Sequence, residues 1–304
     1  MKEDLSWMVK NKSNSKKSTK NNPKNDKVTK VAILKLGNIA SSILLEMLLD
    51  ERADREDIDV CTVSSGAKMV KDSVQEATEL IEKVRYDLLI VVTPNASLKV
   101  PSNAIFELSE NKKPLIVITD KIKKETQEKF LEKNIGLINI PGDAMIGARR
   151  EFLDPIEMTL FNADLLRVLS TTGVFTIIYK ELNTLVKALQ RKEEVKLPAR
   201  TITPREAVKA RDFQNPYAEA KAQAALEIAQ QVAEVNTKGC FKIQERFSYL
   251  QQVATAHEMM RHAAKLADEV REIEKSQNKV KREPHYYDGD IEEKWLLKSK
   301  PRKI

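Results

Sequence analysis

From Val31 onward, short apolar runs alternate with longer segments whose apolar positions recur at helical spacing. "VAILKL" (Val31–Leu36) leads into "SSILLEMLLDE", where Ile43, Leu44, Met47 and Leu48 fall on one helical face. "IDVCTV" then precedes a helix predicted over Val74–Val84, and "DLLIVV" one near Ser102–Ser109. "PLIVIT" precedes a charged helix near Lys123–Glu132, and "GLINI" closes the series. Runs so short and so uniformly apolar predict strands covered on both faces, joined by right-handed helical crossovers. The predicted class is α/β: a Rossmann-like parallel sheet with helices on both faces. Ligands of such sheets bind beyond the carboxyl ends of the strands. Those ends read "KLGNIASS", "VSSGAK", "VTPNAS", "ITDKIK" and "NIPGDAM".

After Asp143 the pattern becomes almost entirely helical. Asp154-Pro155-Ile156-Glu157 predicts a helix start, with an N-cap aspartate, proline at the first helical position and a capping-box glutamate. The helix before it must therefore end near Leu153. Gly173 interrupts the next helix, "VFTIIYKELNTLVKALQRK" resumes it, and a polar, proline-marked segment follows over Glu193–Arg211. Asn215-Pro216 begins an alanine-rich helix, and after Gly239-Cys240 a long helix is predicted over about Tyr249–Lys279. Small residues such as Ala220, Ala224 and Ala225 allow helices to approach closely, which predicts a C-terminal helical bundle against the sheet. The predicted division is a disordered Lys-rich tail (1–30), an α/β domain (31–142), a helical segment (143–290) and a flexible C-terminal tail (291–304).

Composition changes this picture in one respect. The 304 residues carry a net charge of +7, yet residues 1–30 alone hold nine lysines against Glu3, Asp4 and Asp26. The remaining chain is close to neutral, so the charge does not mark a nucleic-acid surface. The tail is too polar to offset its ordering entropy and reads as a solvated extension. No apolar run reaches the length of a membrane span, and the N-terminus lacks the apolar core of a secretory signal. Cys61 and Cys240 have no paired spacing, which argues against a disulfide framework and suits a reducing cytoplasm.

No nucleophile with an adjacent base stands out. The first turn, "LGNIASS", has a single glycine and lacks G-x-G-x-x-G, and the second strand ends in Ser64-Ser65-Gly66 without the acid expected for a dinucleotide ribose. Gly37, Asn38, Ser41, Ser42 and Ser64 suit a phosphate or carboxylate at a helix start, or form ordinary capped turns. In the long helix His257 shares a face with Val253, Met260 and Ala264, a setting typical of a hydrogen-bonded core histidine. The three histidines assemble no metal constellation. "GDAMIGARREFLDPIEM" (Gly142–Met158) concentrates charge: a helix from Asp143 would align Asp143, Gly147, Arg150 and Asp154, flanked by Arg149 and Glu151. Gly147 in such a helix costs about 1 kcal/mol against alanine, which implies that something close needs the room. The stretch reads equally as an ion-pair network holding sheet to bundle or as a ligand site.

Longer segments add a resemblance. "MLLDERADRED", "GARREFLDPIEM", "FNADLLRVLSTTGVF", "NPYAEAKAQAALEIA", "GCF" and "ATAHEMMRHAAKLADEVREIEKS" resemble the coenzyme F420-dependent methylenetetrahydromethanopterin dehydrogenases of archaeal one-carbon metabolism and methanogenesis, from about Val31 to Asp290. The resemblance implies a metal-free oxidoreductase that moves a hydride reversibly between methylenetetrahydromethanopterin and the deazaflavin coenzyme F420. It also implies a homohexamer built from dimers. Such chemistry needs orientation, exclusion of water and a carboxylate near the methenyl cation, and no enzyme nucleophile. On this basis Asp143 and Glu151 are the catalytic candidates, and Arg149, Arg150, Gly147, His257 and Glu258 the substrate-binding ones. Gly37, Asn38, Ser41, Ser42, Ser64, Thr93, Pro94, Asn95 and Asp120 are the coenzyme-side candidates.

The departures from the family pattern cluster at the carboxyl edge. Where relatives have G-P-N-P-A-A-P-G-P, this chain has Thr93-Pro94-Asn95-Ala96-Ser97-Leu98-Lys99-Val100-Pro101. Where they have G-D-A-P-G it has Thr119-Asp120-Lys121-Ile122-Lys123, and Ala40 stands where glycine is common. Added Cβ atoms there are steric changes. They imply either a dehydrogenase with a remodelled coenzyme site or a diverged paralogue that binds the pterin without F420-dependent activity.

Overall fold

The computed structural model describes residues 28–49, 54–143, 149 and 151–304. Gly147 and Arg150, and all but the last residues of the Lys-rich tail, lie outside the described residues. Within them, five strands alternate with helices as the apolar pattern predicts: β1 (Thr29–Lys35), α1 (Ala40–Leu49), β2 (Ile58–Ser64), α2 (Lys71–Glu82), β3 (Leu88–Asn95), α3 (Lys99–Ser109), β4 (Leu115–Lys121), α4 (Lys124–Glu132) and β5 (Gly136–Asn139). The bundle follows as α5 (Pro155–Thr172), α6 (Val174–Arg191), α7 (Pro204–Arg211), α8 (Pro216–Thr237) and α9 (Arg246–Ser276).

The polar segment between α6 and α7 adds a sixth strand, β6 (Ala199–Thr201), so the sheet runs β2-β1-β3-β4-β5-β6 with every pair parallel. The helical half therefore supplies an edge of the sheet, and the two halves share one core. Three residues of mixed polarity carry no strand signal; β6 forms because β5 presents unpaired backbone to it. Leu137 N–H donates to Pro198 O at 2.6 Å and Ile202 N–H to Asn139 O at 2.9 Å. Residues 291–304, predicted as a flexible tail, carry β7 (Glu292–Glu293) and β8 (Arg302–Lys303), paired antiparallel.

Strand alternation divides the core. Val31, Ile33, Leu88, Ile90, Val92, Ile116, Ile118 and Ile138 face α1 and the bundle, whereas Ala32, Leu34, Leu89, Val91, Leu115, Val117 and Leu137 face α2, α3 and α4. Each fully buried Ile or Leu contributes roughly 1.5–3 kcal/mol. On α1 the outcome differs from the apolar stripe read in the sequence. Ala40, Ser41, Ser42, Leu45 and Leu49 face inward, while Ile43 and Met47 are exposed and Leu44 and Leu48 half-buried.

Caps fix the helix boundaries. Asp154 accepts from Glu157 N–H at 2.8 Å ahead of Pro155, and Asn215 accepts from Tyr217 and Ala218 N–H ahead of Pro216. α7 starts on a capping box between Thr203 and Glu206, the same signature within the polar, proline-marked segment. Gly173 joins α5 to α6 at φ +99°, and a Cβ there would lie 2.0 Å from Ala207 O of α7. Buried alanines bring α8 (Ala218, Ala222, Ala225, Ala229) against α9 (Ala256, Ala263, Ala264, Ala267). A π-helical turn, Lys238–Lys242, links them where Gly239-Cys240 suggests only a break.

Candidate functional site

The strand order reverses between β1 and β3, so the crevice beyond their carboxyl ends is the expected ligand position of this topology. Gly37 enters it at φ +85°, and its N–H donates to Ser65 Oγ at 3.2 Å. Ser65 N–H donates in turn to Lys35 O at 3.0 Å and its hydroxyl to Lys68 O at 3.0 Å. The β2–α2 loop is thereby clamped over the first turn, with Ser64 Oγ accepting from Gly66 N–H at 3.0 Å. A Cβ on Gly37 would stand 2.8 Å from Met69 Cγ and Sδ and 3.3 Å from Pro94 Cδ. Thr93, fully buried, donates its hydroxyl to Met69 Sδ at 3.9 Å.

The first residues of the two departing loop segments, Thr93–Asn95 and Thr119–Lys121, extend strands here. β3 runs on to Asn95 and β4 to Lys121, paired Thr93↔Thr119 and Asn95↔Lys121. Side chains knit the two loops: Ala96 N–H donates to Thr119 Oγ1 at 3.1 Å, and Lys123 N–H to Ser97 Oγ at 2.7 Å. Asn95 Oδ1 accepts from Ser97 N–H at 3.0 Å. Lys68, Lys99, Lys121 and Lys123 stand exposed in or beside the loops at this end of the sheet, and Asn38 is half-buried beside Gly37. The crevice thus has a glycine turn packed under Met69 and Pro94, polar groups and a cationic rim, and the rim suits a ligand with an anionic tail.

Two candidates on α1 lie beneath this rim. Ser41 and Ser42 are buried, and the Ser42 hydroxyl donates to Ile39 O at 2.7 Å, a helix-start bond that turns it inward. Asp143 reaches the same helix start from the β5 end: its carboxyl oxygens accept from Ser41 N–H at 3.1 and 3.3 Å. It is fully buried, and burial pushes its carboxyl up to about 7 against the hydrogen bonds from α1, with the Asp120 charge adding to the rise. Asp120 accepts from Gly142 N–H at 3.0 Å and is itself pushed up to about 6 by desolvation. Gly142, at φ +102°, lets this loop touch α8: a Cβ would lie 3.2 Å from Gln230 N.

The seam toward the bundle holds the other candidates. Arg149 donates from Nε to Gly239 O at 3.0 Å and from Nη2 to Ile243 O at 2.9 Å, capping the π-helical turn, and its guanidinium lies 4.1 Å over the Tyr249 ring. Tyr249 OH donates to the exposed Glu151 at 2.8 Å, a bond that holds the Glu151 carboxyl below its ordinary range, and Arg246 Nε lies 3.7 Å from Glu151. Arg149 is non-helical and Glu151 and Phe152 form a turn, so the helix predicted from Asp143 is absent where the chain is described. His257 packs between Phe152 and Phe161 at ring distances of 4.7 and 4.8 Å, with Nδ1 3.8 Å from Glu157 of α5. Glu258 points elsewhere, into a cavity of about 500 Å³ lined with Ile228, Met259 and His262. The structure therefore joins Asp143 to the sheet edge and Glu151 to the bundle, in different surroundings.

Comparison with known proteins fits this arrangement. The family model for methylene-5,6,7,8-tetrahydromethanopterin dehydrogenase matches residues 29–302. The chain belongs to this family. A dehydrogenase family member from Archaeoglobus fulgidus, described as F420-dependent methylenetetrahydromethanopterin dehydrogenase, is 48% identical over 274 residues, covering 90% of this chain and 99% of the relative. A Methanocaldococcus jannaschii relative of the same description is 45% identical over 275 residues, with the same coverage. Among solved structures, an F420-dependent methylene-tetrahydromethanopterin dehydrogenase in complex with methylene-tetrahydromethanopterin and coenzyme F420 superposes with a TM-score of 0.87 at 40% identity, covering 91% of this chain and all of that one. Two residues of this chain's candidate site carry no signal in the pattern. Met69 follows a Ser-Gly turn and gives no periodic signal, and Tyr249 joins Arg149 and Glu151 only through the tertiary fold.

Proposed function

We propose that this protein is an F420-dependent methylenetetrahydromethanopterin dehydrogenase, which interconverts 5,10-methylenetetrahydromethanopterin and its 5,10-methenyl form with coenzyme F420 as hydride acceptor. The observation that carries this reading is the near-complete match, at 48% identity, to a relative described by that activity. Its fold match to an enzyme holding both ligands supports the same reading at a TM-score of 0.87. It is favoured over a pterin-binding paralogue because the relatives that match nearly the whole chain are described by that activity.

On this reading Gly37, Asn38, Ser64, Thr93, Pro94 and Asn95 form the coenzyme side. The exposed lysines on its rim attract the phosphate and glutamyl groups of the coenzyme. Asp143, Asp120, Ser41 and Ser42 act one layer down, holding the α1 start and the Gly142 turn in place. Glu151, kept ionised by Tyr249, is the carboxylate suited to stand near the methenyl cation. Arg149 fixes the π-helical turn, and His257, packed between Phe152 and Phe161, supports the pterin side from beneath. Glu258 borders a separate cavity, and Gly147 and Arg150, outside the described residues, keep only the substrate-binding role the resemblance implies. The deazaflavin ring supplies the redox chemistry; the chain orients two rings and excludes water, which contributes roughly 7–11 kcal/mol when alignment is good. A cytoplasmic homohexamer built from dimers completes the proposal, supported by the exposed apolar positions Ile43 and Met47 on α1.

The test mixes purified protein with methylenetetrahydromethanopterin and oxidised F420 and follows loss of the deazaflavin absorbance. Loss of absorbance that requires both reactants supports the reading. Pterin binding with no absorbance change would establish the paralogue instead.

A further inference from the structure

The β1/β3 crevice has a third wall that neither strand provides. Met69, on the loop between β2 and α2, lays its side chain across the crevice so that Cγ and Sδ sit where a Gly37 Cβ would project, 2.8 Å from that point. On its other side Sδ accepts the Thr93 hydroxyl at 3.9 Å. The backbone that carries Met69 is held by the Ser65 bonds to Gly37, Lys35 and Lys68, so the side chain is aimed although its four-atom stem stays adjustable. Met69 is half-buried, so part of its side chain stays accessible while the rest packs on Gly37 and Thr93. An unbranched thioether in that position adapts its shape and makes favourable contacts with aromatic faces and edges.

We propose that Met69 is a specificity-determining residue of the coenzyme site: an adjustable wall over Gly37 and Thr93 that packs against the planar ring of the deazaflavin. This rests on the function proposed above. It gives a reason for glycine at position 37, where any side chain would compete with Met69 for one space. It also separates the two substrates, because the Met69 wall belongs to the sheet edge, whereas the Arg149, Tyr249 and Glu151 contacts gather at the π-helical turn.

The experiment compares wild type, Met69→Leu and Met69→Ala, with thermal melts to confirm folding. Isothermal titration with oxidised F420 and, separately, with methylenetetrahydromethanopterin is read alongside the KM for each. Removing the thioether stem should weaken F420 binding and raise its KM about tenfold, in the range set by losing apolar contact in a fitted pocket. The pterin Kd and KM should stay within about twofold of wild type, since uniform loss of one ligand's contacts leaves the other's untouched. Met69→Leu, close in volume, should recover most of the F420 affinity. Equal changes for both ligands, or none for F420, would overturn the assignment. Wild type that fails to bind F420 at all would overturn the functional reading first, and is recognised from the wild-type titration alone.

Discussion

Asparagine in place of Asp143 tests the electrostatics at the root of the site. The carboxyl is fully buried and lies at about 7 in the folded protein against an ordinary value of 3.8, chiefly through loss of solvent. Between these values the folded chain holds a proton that the unfolded chain has released. Stability therefore falls as pH rises from about 4 to about 7. Moving one carboxyl from 3.8 to about 7 corresponds to roughly 4 kcal/mol at full ionisation. Asp143→Asn keeps an oxygen to accept from Ser41 N–H but has no charge to desolvate. Asp120, raised to about 6 by desolvation, has the same sign in both proteins. His285 runs the other way: burial lowers it from 6.5 to about 3, so its contribution is lost as pH falls through that window. The wild-type profile is the sum of these opposed slopes, which makes the difference between variant and wild type the proper readout. Urea midpoints at pH 4.5 and 8 should show the variant gaining on wild type by about 3 kcal/mol at the higher pH, since part of the span is already lost at pH 4.5. A flat difference across that range would refute the buried, proton-retaining Asp143.

Two further outcomes are expected. Gly173→Ala should destabilise by about 3 kcal/mol or more, since a Cβ would fall 2.0 Å from Ala207 O at φ +99°; urea unfolding with an unchanged midpoint would contradict it. Arg149→Leu removes two guanidinium bonds to Gly239 and Ile243 carbonyls and should cost roughly 2–4 kcal/mol, with faster amide exchange confined to the π-helical turn and the start of α9. Exchange spread evenly over the chain would mean that Arg149 does not cap that turn.

The fold was legible wherever one physical signal dominated. Five strands followed from uniform apolar runs, and Asp154-Pro155, Gly173 and Asn215-Pro216 marked helix ends because capping and φ are local. The α7 capping box Thr203-Pro204-Arg205-Glu206 was equally local and readable. β6 was not, because its pairing partner is more than fifty residues away. On α1 the helical period was right and the buried face was not: Ser41 and Ser42 turn inward because Asp143 meets the helix start there, which leaves Ile43 and Met47 outside.

The site divided along the same line. Gly37, Thr93, Asp120, Asp143 and Glu151 became candidates through residue type, position beyond the strands or in the charged stretch before α5, and the resemblance. What each one touches was beyond the sequence. Asp143 became a buried cap with a retained proton, Glu151 an exposed carboxylate paired with Tyr249, and Met69 a wall of the crevice. Residue type and period are properties of neighbouring positions, so the chain order alone determines strands, helix ends and family. Burial, pKa and the partner of a side chain depend on segments brought together across a hundred residues, and the tertiary structure alone decided them.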